Sequence, residues 1–178
     1  MINIRRKTFE TNSSSTHSIC ICKNDEEIEI PEKMEIELKD GNYEFDWEYT
    51  KWDSPAEKLA YIIMGIIARS WYYTSLAEAC SQIEKILNNL SEFGVKEVKI
   101  TGLEFFLYDK KCYIDKEYSY VDHGSEMGEL IEEILNNKDS LKNFLFSYKS
   151  FILGGNDNED GYQKINANYE HKEFYKGN

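Results

Sequence analysis

The chain has 178 residues, of which 41% are hydrophobic and 14% aromatic, and intrinsically disordered chains lack that much apolar material. We expect one folded domain over residues 1–178, because two full domains would be cramped in this length. The formal net charge of -12 repels nucleic acid and anionic membranes unless a local basic patch overrides it. Such a charge either attracts a basic partner or simply keeps a small protein soluble.

The sequence also indicates the cellular location of the protein, the state of its cysteines and the enzyme classes to which it does not belong. The first residues lack the apolar run of a signal peptide, and no later stretch approaches the length of a membrane span. We therefore expect a cytoplasmic protein that has no membrane partner. In a reducing compartment the four cysteines default to buried thiols: Cys20, Cys22, Cys80 and Cys112. A Walker loop, a dinucleotide fingerprint and a His-Glu-x-x-His motif are all missing, which excludes the easily named enzymes.

The first part of the chain predicts strands. Residues 2–9 are typical of a short edge strand, and the charges at 5–7 would discourage its pairing with another chain. A polar loop is expected at 11–17, and residues 17–23 alternate with period 2, with both faces apolar enough for a central strand. Acidic and aliphatic residues alternate at 27–31 and 34–38, as in strands with one face in water. The aromatic and acidic alternation at 43–49 indicates another strand or an aromatic-anchored loop.

The rest of the chain predicts helices and further strands. A capping box at Ser54 and Glu57, with Pro55 at the first helical position, begins a buried helix that runs to about Ser70. A second capping box at Ser75 begins a helix that Gly94 is placed to end. Further strands are expected at 95–101, 104–108, 112–121 and 148–153, and helices at 126–136 and 140–146. After Tyr162 we expect one last strand before a frayed end at 165–178.

These elements predict an α+β fold. We expect a single domain whose mostly antiparallel, mixed sheet is covered by two or three helices.

The polar loop at 11–17 is the main candidate site, because neither a core nor an ordinary surface demands its composition. Hydroxyl and amide groups on small residues suit a phosphate, and Arg5 or Arg6 could neutralise its charge. His17 could act as a general acid or base near neutral pH, and Ser15 is the candidate nucleophile. The alternative is a loop that forms hydrogen bonds within itself, followed by a strand in which His17 is a structural residue with its hydrogen bonds made. The candidate ligand-binding residues here are Thr11, Asn12, Ser13, Ser14 and Thr16.

A second candidate lies at residues 156–161, which match the front half of a calcium loop. An EF-hand is disfavoured because position twelve would be Ala167, where a bidentate Glu is required. The simplest interpretation is a hairpin turn. In the functional interpretation, Asn156 binds ligand and Asp157 or Asp160 supplies a second carboxylate opposite the polar loop, with Asp157 as the candidate site residue.

Zinc is disfavoured by residue spacing. Period 2 sends His17 to the face opposite Cys20 and Cys22, and the chain has no Cys-x-x-Cys pair. We therefore predict no metal site, and no particular cofactor is implied.

Several islands of sequence resemble an uncharacterised family of bacteriophage and mobile-element proteins. The main one is Phe9-Glu10-Thr11-Asn12-Ser13-Ser14-Ser15-Thr16-His17-Ser18. The similarity extends to Phe45-Asp46-Trp47-Glu48, to Ser54-Pro55-x-x-Lys58-Leu59-Ala60-Tyr61, and to Gly155-Asn156-Asp157. The resemblance implies a phage-like origin, and so a location in the host cytoplasm. It draws attention to the polar loop and the 156–157 turn but assigns no reaction.

Three functions are compatible with these observations. The first is a small phage-type protein that binds or acts on a phosphate-bearing small molecule or nucleic-acid end through loop 11–17. The second is a non-enzymatic acidic inhibitor that blocks a basic host or defence protein through the carboxylate-rich segments 26–37 and 46–53. The third is a virion or structural accessory protein.

Overall fold

The computed structural model describes residues 15–23, 25, 27–39, 42–45, 50–102, 120–122, 124–156 and 171–176. Within these ranges the fold is α+β, as predicted. The helices are α1 Pro55–Ser70, α2 Leu76–Phe93, α3 Gly128–Asn136 and α4 Lys138–Phe146. The strands are β1 Ser15–Cys22, β2 Lys33–Glu37, β3 Glu44–Phe45, β4 Lys51–Trp52, β5 Glu97–Thr101, β6 Tyr120–Val121, β7 Phe151–Asn156 and β8 His171–Lys176. The strands predicted at 2–9 and 104–108 lie outside the described residues.

The main sheet has the order β4-β7-β1-β8, and all its neighbouring strands are antiparallel. All eight residues of β1 are buried, which confirms the central strand expected from its two apolar faces. Two small parallel pairs, β2–β5 and β3–β6, complete the sheet structure. The last strand expected after Tyr162 is β8, which lies inside the range 165–178 that was expected to be frayed.

The helix ends are set by local capping chemistry, as predicted. The Ser54 side chain and Glu57 form the capping box of α1, and the Ser75 side chain accepts a hydrogen bond from the Glu78 backbone N–H at the start of α2. Gly94 ends α2 with a φ of 109°, a left-handed conformation that glycine adopts without strain. Helix α1 is buried from residue 58 to residue 67 and contacts the other three helices and β2, so it lies at the centre of the fold.

Three predictions need correction. Residues 27–31 form no strand, because alternation reports an amphipathic segment and not the presence of a partner. Strand β7 begins at Phe151 rather than 148 and continues beyond the predicted end at 153 to Asn156, which was expected in a hairpin turn, because pairing with β1 holds these residues extended. Cys80 forms a disulfide bond, whereas Cys20 and Cys22 are free and buried; sequence spacing does not show which thiols meet.

Candidate functional site

The two candidate segments meet at the start of β1. Strand β1 begins at Ser15, two residues before the predicted strand, and Ser15, Thr16 and His17 pair with Asn156, Gly155 and Gly154 of β7. The remaining predicted site residues lie outside the described ranges: Arg5, Arg6, Thr11, Asn12, Ser13, Ser14 and Asp157. The part of the site that is described is therefore a pair of antiparallel strand ends.

His17 is fully buried, with 0% of its surface exposed. Its Nδ1 lies 2.9 Å from the Tyr61 hydroxyl, and its ring packs at 5.5 Å from the Tyr61 ring and 5.9 Å from the Trp52 ring, centroid to centroid. Burial raises the pKa of Tyr61 well above its ordinary value, so the phenol keeps its proton. This environment favours the structural interpretation of His17, because an enclosed imidazole does not meet a substrate arriving from solvent.

His17 belongs to an aromatic cluster that joins three of the sequence islands. The Phe45 ring lies 4.9 Å from the Trp52 ring and 5.0 Å from the Tyr61 ring, both in edge-to-face geometry. All four residues are at most 8% exposed. Edge-to-face aromatic pairs stabilise a core beyond the area that they bury. The islands that carry the resemblance thus build one packed centre between β1 and α1.

Thr16 is the unusual residue of the strand end. It is 1% exposed, as is Ser15, and its Oγ1 is buried without a hydrogen-bond partner. A Cβ added to Gly155 would lie 3.6 Å from this oxygen, an ordinary contact. The contacts made by Gly155 therefore do not by themselves demand a glycine. Glycine in a strand often marks a place where a ligand or another backbone approaches closely.

A buried polar network that the sequence analysis missed lies at the other end of β1. The Lys58 ammonium is 0% exposed and donates to the carbonyl oxygens of Ser147, at 2.9 Å, and Ser150, at 3.0 Å. Desolvation lowers the pKa of Lys58 to about 8. Ser147 follows the last residue of α4, so the ammonium lies where the helix dipole favours a cation. The sequence did contain a signal for this network, because Lys58 stands among the apolar residues of the helix predicted from Ser54 to about Ser70.

The same network contains a buried carboxylate. Ser147 Oγ donates to Asp25 Oδ2, and Lys149 Nζ lies 3.0 Å from Asp25 Oδ1. These contacts, with that from Ser147 the larger, hold the pKa of Asp25 below its ordinary value. Because Asp25 follows β1 while Ser147 and Lys149 follow α4, the network ties two chain segments together. Lys58 and Asp25 are both enclosed and partnered, so we assign them a structural role.

Cys20 of β1 is not prepared for nucleophilic chemistry. Desolvation, with a smaller contribution from the nearby Glu173 carboxylate, raises the pKa of Cys20 to about 12, so its thiol keeps the proton. Among the described residues, no group of three His, Cys, Asp or Glu side chains is placed to hold a metal ion. In the same part of the chain, no helix has both the length and the apolar character that crossing a membrane requires.

The carboxylates of β2 are largely compensated. Lys33 pairs with Glu97 and Lys96 with Glu32, each at 2.6 Å, and Lys39 lies 3.1 Å from Glu37. Lys99 also pairs with Glu35. These four lysines and four glutamates sum to zero charge on the β2–β5 surface. Glu32, Glu35 and Glu37 of the segment 26–37 therefore add little net negative charge to this surface.

An exposed aromatic cluster lies between α1 and α2. Trp71, Tyr72 and Tyr73 are 56%, 74% and 67% exposed, and we call them the aromatic knuckle. The backbone N–H groups of residues 71–74 donate to the Ala68 and Arg69 carbonyl oxygens at 2.8–3.3 Å, so the turn is folded back on the helix and its side chains are directed outward. The sequence contained a signal for this surface, since three aromatic residues fall between one helix end and the next capping box.

A groove of about 360 Å³ lies near the start of α1. It is lined by Glu27, Glu29, Pro31, Pro55, Phe146 and Tyr148. Phe146 is 5% exposed and Tyr148 is 59% exposed. The groove is thus apolar and aromatic, with two glutamates as its charged residues.

Comparison with known proteins gives no match: no family model, no curated protein and no solved structure is similar to this chain. The resemblance to the bacteriophage family stays a prediction.

Proposed function

We propose that the protein acts without catalysis, by binding a protein partner that has a basic surface. The observation that carries this proposal is the aromatic knuckle, in which three consecutive aromatic side chains are each more than half exposed. Large exposed aromatic groups are unusual on a surface that has no partner. Tryptophan and tyrosine are also the residues on which binding energy at protein interfaces is most often concentrated.

The knuckle is held in place before any partner arrives. Four backbone hydrogen bonds fold its turn onto the end of α1, and the Arg69 guanidinium lies 5.7 Å from the Tyr73 ring centroid. Ser75 then caps α2 directly after the turn. A partner therefore meets an ordered surface, so less conformational entropy is lost on binding.

Charge favours a basic partner over a second copy of the chain. Glu78 is exposed in the first turn of α2, and the exposed Glu126 and Glu129 flank Gly128, whose backbone adjoins the Arg69 guanidinium. The net charge of -12 attracts basic proteins and opposes self-association through long-range repulsion. This proposal retains the inhibitor hypothesis but places the contact at the knuckle instead of the compensated β2–β5 surface.

Affinity capture with matched variants tests this proposal. The variant W71A/Y72S/Y73S removes the knuckle, whereas E84A/K85A/N88A changes three exposed positions of α2 and leaves the net charge unchanged. We expect the wild type and the α2 control to retain a basic protein from a cell extract, with at least tenfold less retained by the knuckle variant. Retention should also fall as salt rises. Equal capture by all three proteins would refute the proposal.

A second candidate function rests on a different observation. We also propose that a phosphate-bearing ligand binds at the start of β1 through a local opening of this strand end, which would bring the enclosed Thr16 Oγ1 to the ligand as one donor. The buried hydroxyl without a partner and the small residue beside it support this candidate. The enclosure of His17 restricts the proposal to binding, without acid–base catalysis by that imidazole.

The phosphate candidate is tested by ligand-induced thermal stabilisation. Inorganic phosphate and a nucleoside triphosphate are the probes, and Gly155→Ala is the informative variant because its methyl group would occupy space beside Thr16 Oγ1. We expect the ligand to raise the unfolding temperature of the wild type and not that of G155A. A wild type that does not respond, or an equal response of both proteins, would contradict ligand binding at this position.

A further inference from the structure

Residues 27–30 have the side-chain alternation of a β-strand but pair with none of the strands that the structure describes. Glu27 and Glu29 are exposed, whereas Ile28 and Ile30 are half-buried and pack against the core. Within the described part of the chain, the backbone N–H and C=O groups of residues 28–30 make no backbone–backbone hydrogen bond. A strand-like segment that forms no ladder with the described strands is a candidate template for pairing with another chain.

The groove runs beside this edge. Glu27, Glu29 and Pro31 belong to the edge and line the groove together with Phe146 and Tyr148. Pro31 has no backbone N–H, so it ends the stretch that can pair in a ladder. The remaining four residues span about 13 Å of extended chain, enough to fix the register of a short peptide.

The two walls are tied together through Asp25. Its Oδ1 accepts a hydrogen bond from the Glu27 backbone N–H at 3.3 Å. The same carboxylate binds Ser147 and Lys149, which flank Tyr148. The edge and the aromatic wall therefore stand in a fixed relation before a peptide arrives, which favours binding to a pre-organised groove.

We propose that residues 27–30 accept an extended basic peptide segment of a partner protein as an added β-strand, with its side chains lying over Phe146 and Tyr148. This mode of recognition takes affinity from main-chain hydrogen bonds and specificity from alternating side chains. Glu27 and Glu29 make no ion pair with other described residues, so they select for lysine or arginine at alternate positions. Lys149 Nζ already lies 5.2 Å from the Tyr148 ring centroid, which illustrates how this ring accommodates an ammonium group.

This site is independent of the aromatic knuckle. The groove lies at Pro55, the first residue of α1, and the knuckle follows Ser70, its last. A helix of 16 residues is about 24 Å long. A failure of binding at one surface therefore does not count against binding at the other.

The test uses synthetic peptides and hydrogen exchange on the full chain. The probes are acetyl-Lys-Val-Lys-Val-Lys-Val-amide, its Glu counterpart, and the Lys peptide with N-methylated valines. We expect the Lys peptide to bind at least tenfold more tightly than either of the others and to slow amide exchange at residues 28–30. The knuckle variant W71A/Y72S/Y73S should bind the Lys peptide as the wild type does.

Two variants make the result specific. In E27K/E29K both substituted positions are exposed, so folding is retained, and the preference should reverse toward the Glu peptide. Tyr148→Ser should weaken binding of the Lys peptide several-fold. The proposal is overturned if neither charged peptide binds, if binding leaves exchange at 28–30 unchanged, or if charge reversal does not change the preference. Protection of these amides that grows with protein concentration alone would instead assign the edge to a second copy.

Discussion

The substitution Thr16→Val gives the most direct test of how the start of β1 is built. The Thr16 side chain is enclosed, and its hydroxyl has no hydrogen-bond partner. A hydroxyl buried in this way costs about 1–3 kcal/mol of stability. Valine replaces the hydroxyl with a methyl group of similar size and keeps the branched Cβ that suits a strand. We therefore expect T16V to raise the free energy of unfolding by about 1–3 kcal/mol.

The assay is urea unfolding followed by circular dichroism, supported by thermal unfolding. For a chain of this size, each kcal/mol corresponds to a rise of about 2–4 °C in Tm. Thr16→Ser is the matched control, because it keeps the hydroxyl and deletes the methyl group, and we expect it to be destabilising by about 1 kcal/mol. If T16V were instead less stable than the wild type by more than 1 kcal/mol, the hydroxyl would have a stabilising partner. The argument for a ligand beside it would then fail.

Three further predictions concern the surrounding structure. Tyr61→Phe should lower the free energy of unfolding by about 1–3 kcal/mol, because it removes the hydroxyl that bonds the buried His17 Nδ1; an unchanged urea midpoint would show that the contact contributes nothing. Between pH 8 and 10.5 the unfolded chain binds more protons at Lys58 than the folded one does, because the folded pKa is lowered to about 8. The stability of the wild type relative to Lys58→Met should thus rise across this window by about 3 kcal/mol, and parallel pH profiles would count against a buried ammonium. Gly102→Ala should destabilise the protein by more than 1 kcal/mol in thermal unfolding, since φ is +81° and the added Cβ would lie 2.6 Å from the Lys39 backbone nitrogen; wild-type stability would refute this turn geometry.

The elements that the sequence predicts well are those set by local chemistry. Ser54, Ser75 and Gly94 define helix ends through contacts within one turn, so a short window of sequence contains the whole cause. The apolar faces of β1 identify a central strand for a similar reason, because alternation shows that both faces are to be buried.

The elements that the sequence predicts poorly depend on distant partners. Gly154 and Gly155 have the composition of a turn, and only their pairing with His17 and Thr16, more than 130 residues earlier in the chain, holds them in a strand. Residues 27–31 have the composition of a strand but pair with none of the described strands. His17 was considered both as a catalytic and as a core residue, and its contact with Tyr61, which favours the core interpretation, is not visible in the sequence around either residue.

The sequence islands that resemble the bacteriophage family contribute residues to the core. The residues that can contact a partner are different ones. His17, Phe45 and Tyr61 are enclosed, so their spacing in the sequence is explained by the packing of β1 against α1. The groove and the knuckle lie at opposite ends of that same helix, whose residues 58–67 are buried. A helix fixed in this way holds its two ends at a constant separation of about 24 Å. A single basic partner that reached both surfaces would bind the second one at a high effective concentration once the first was bound. Loss of either surface would therefore weaken the binding of this partner far more than the affinity of that surface alone suggests.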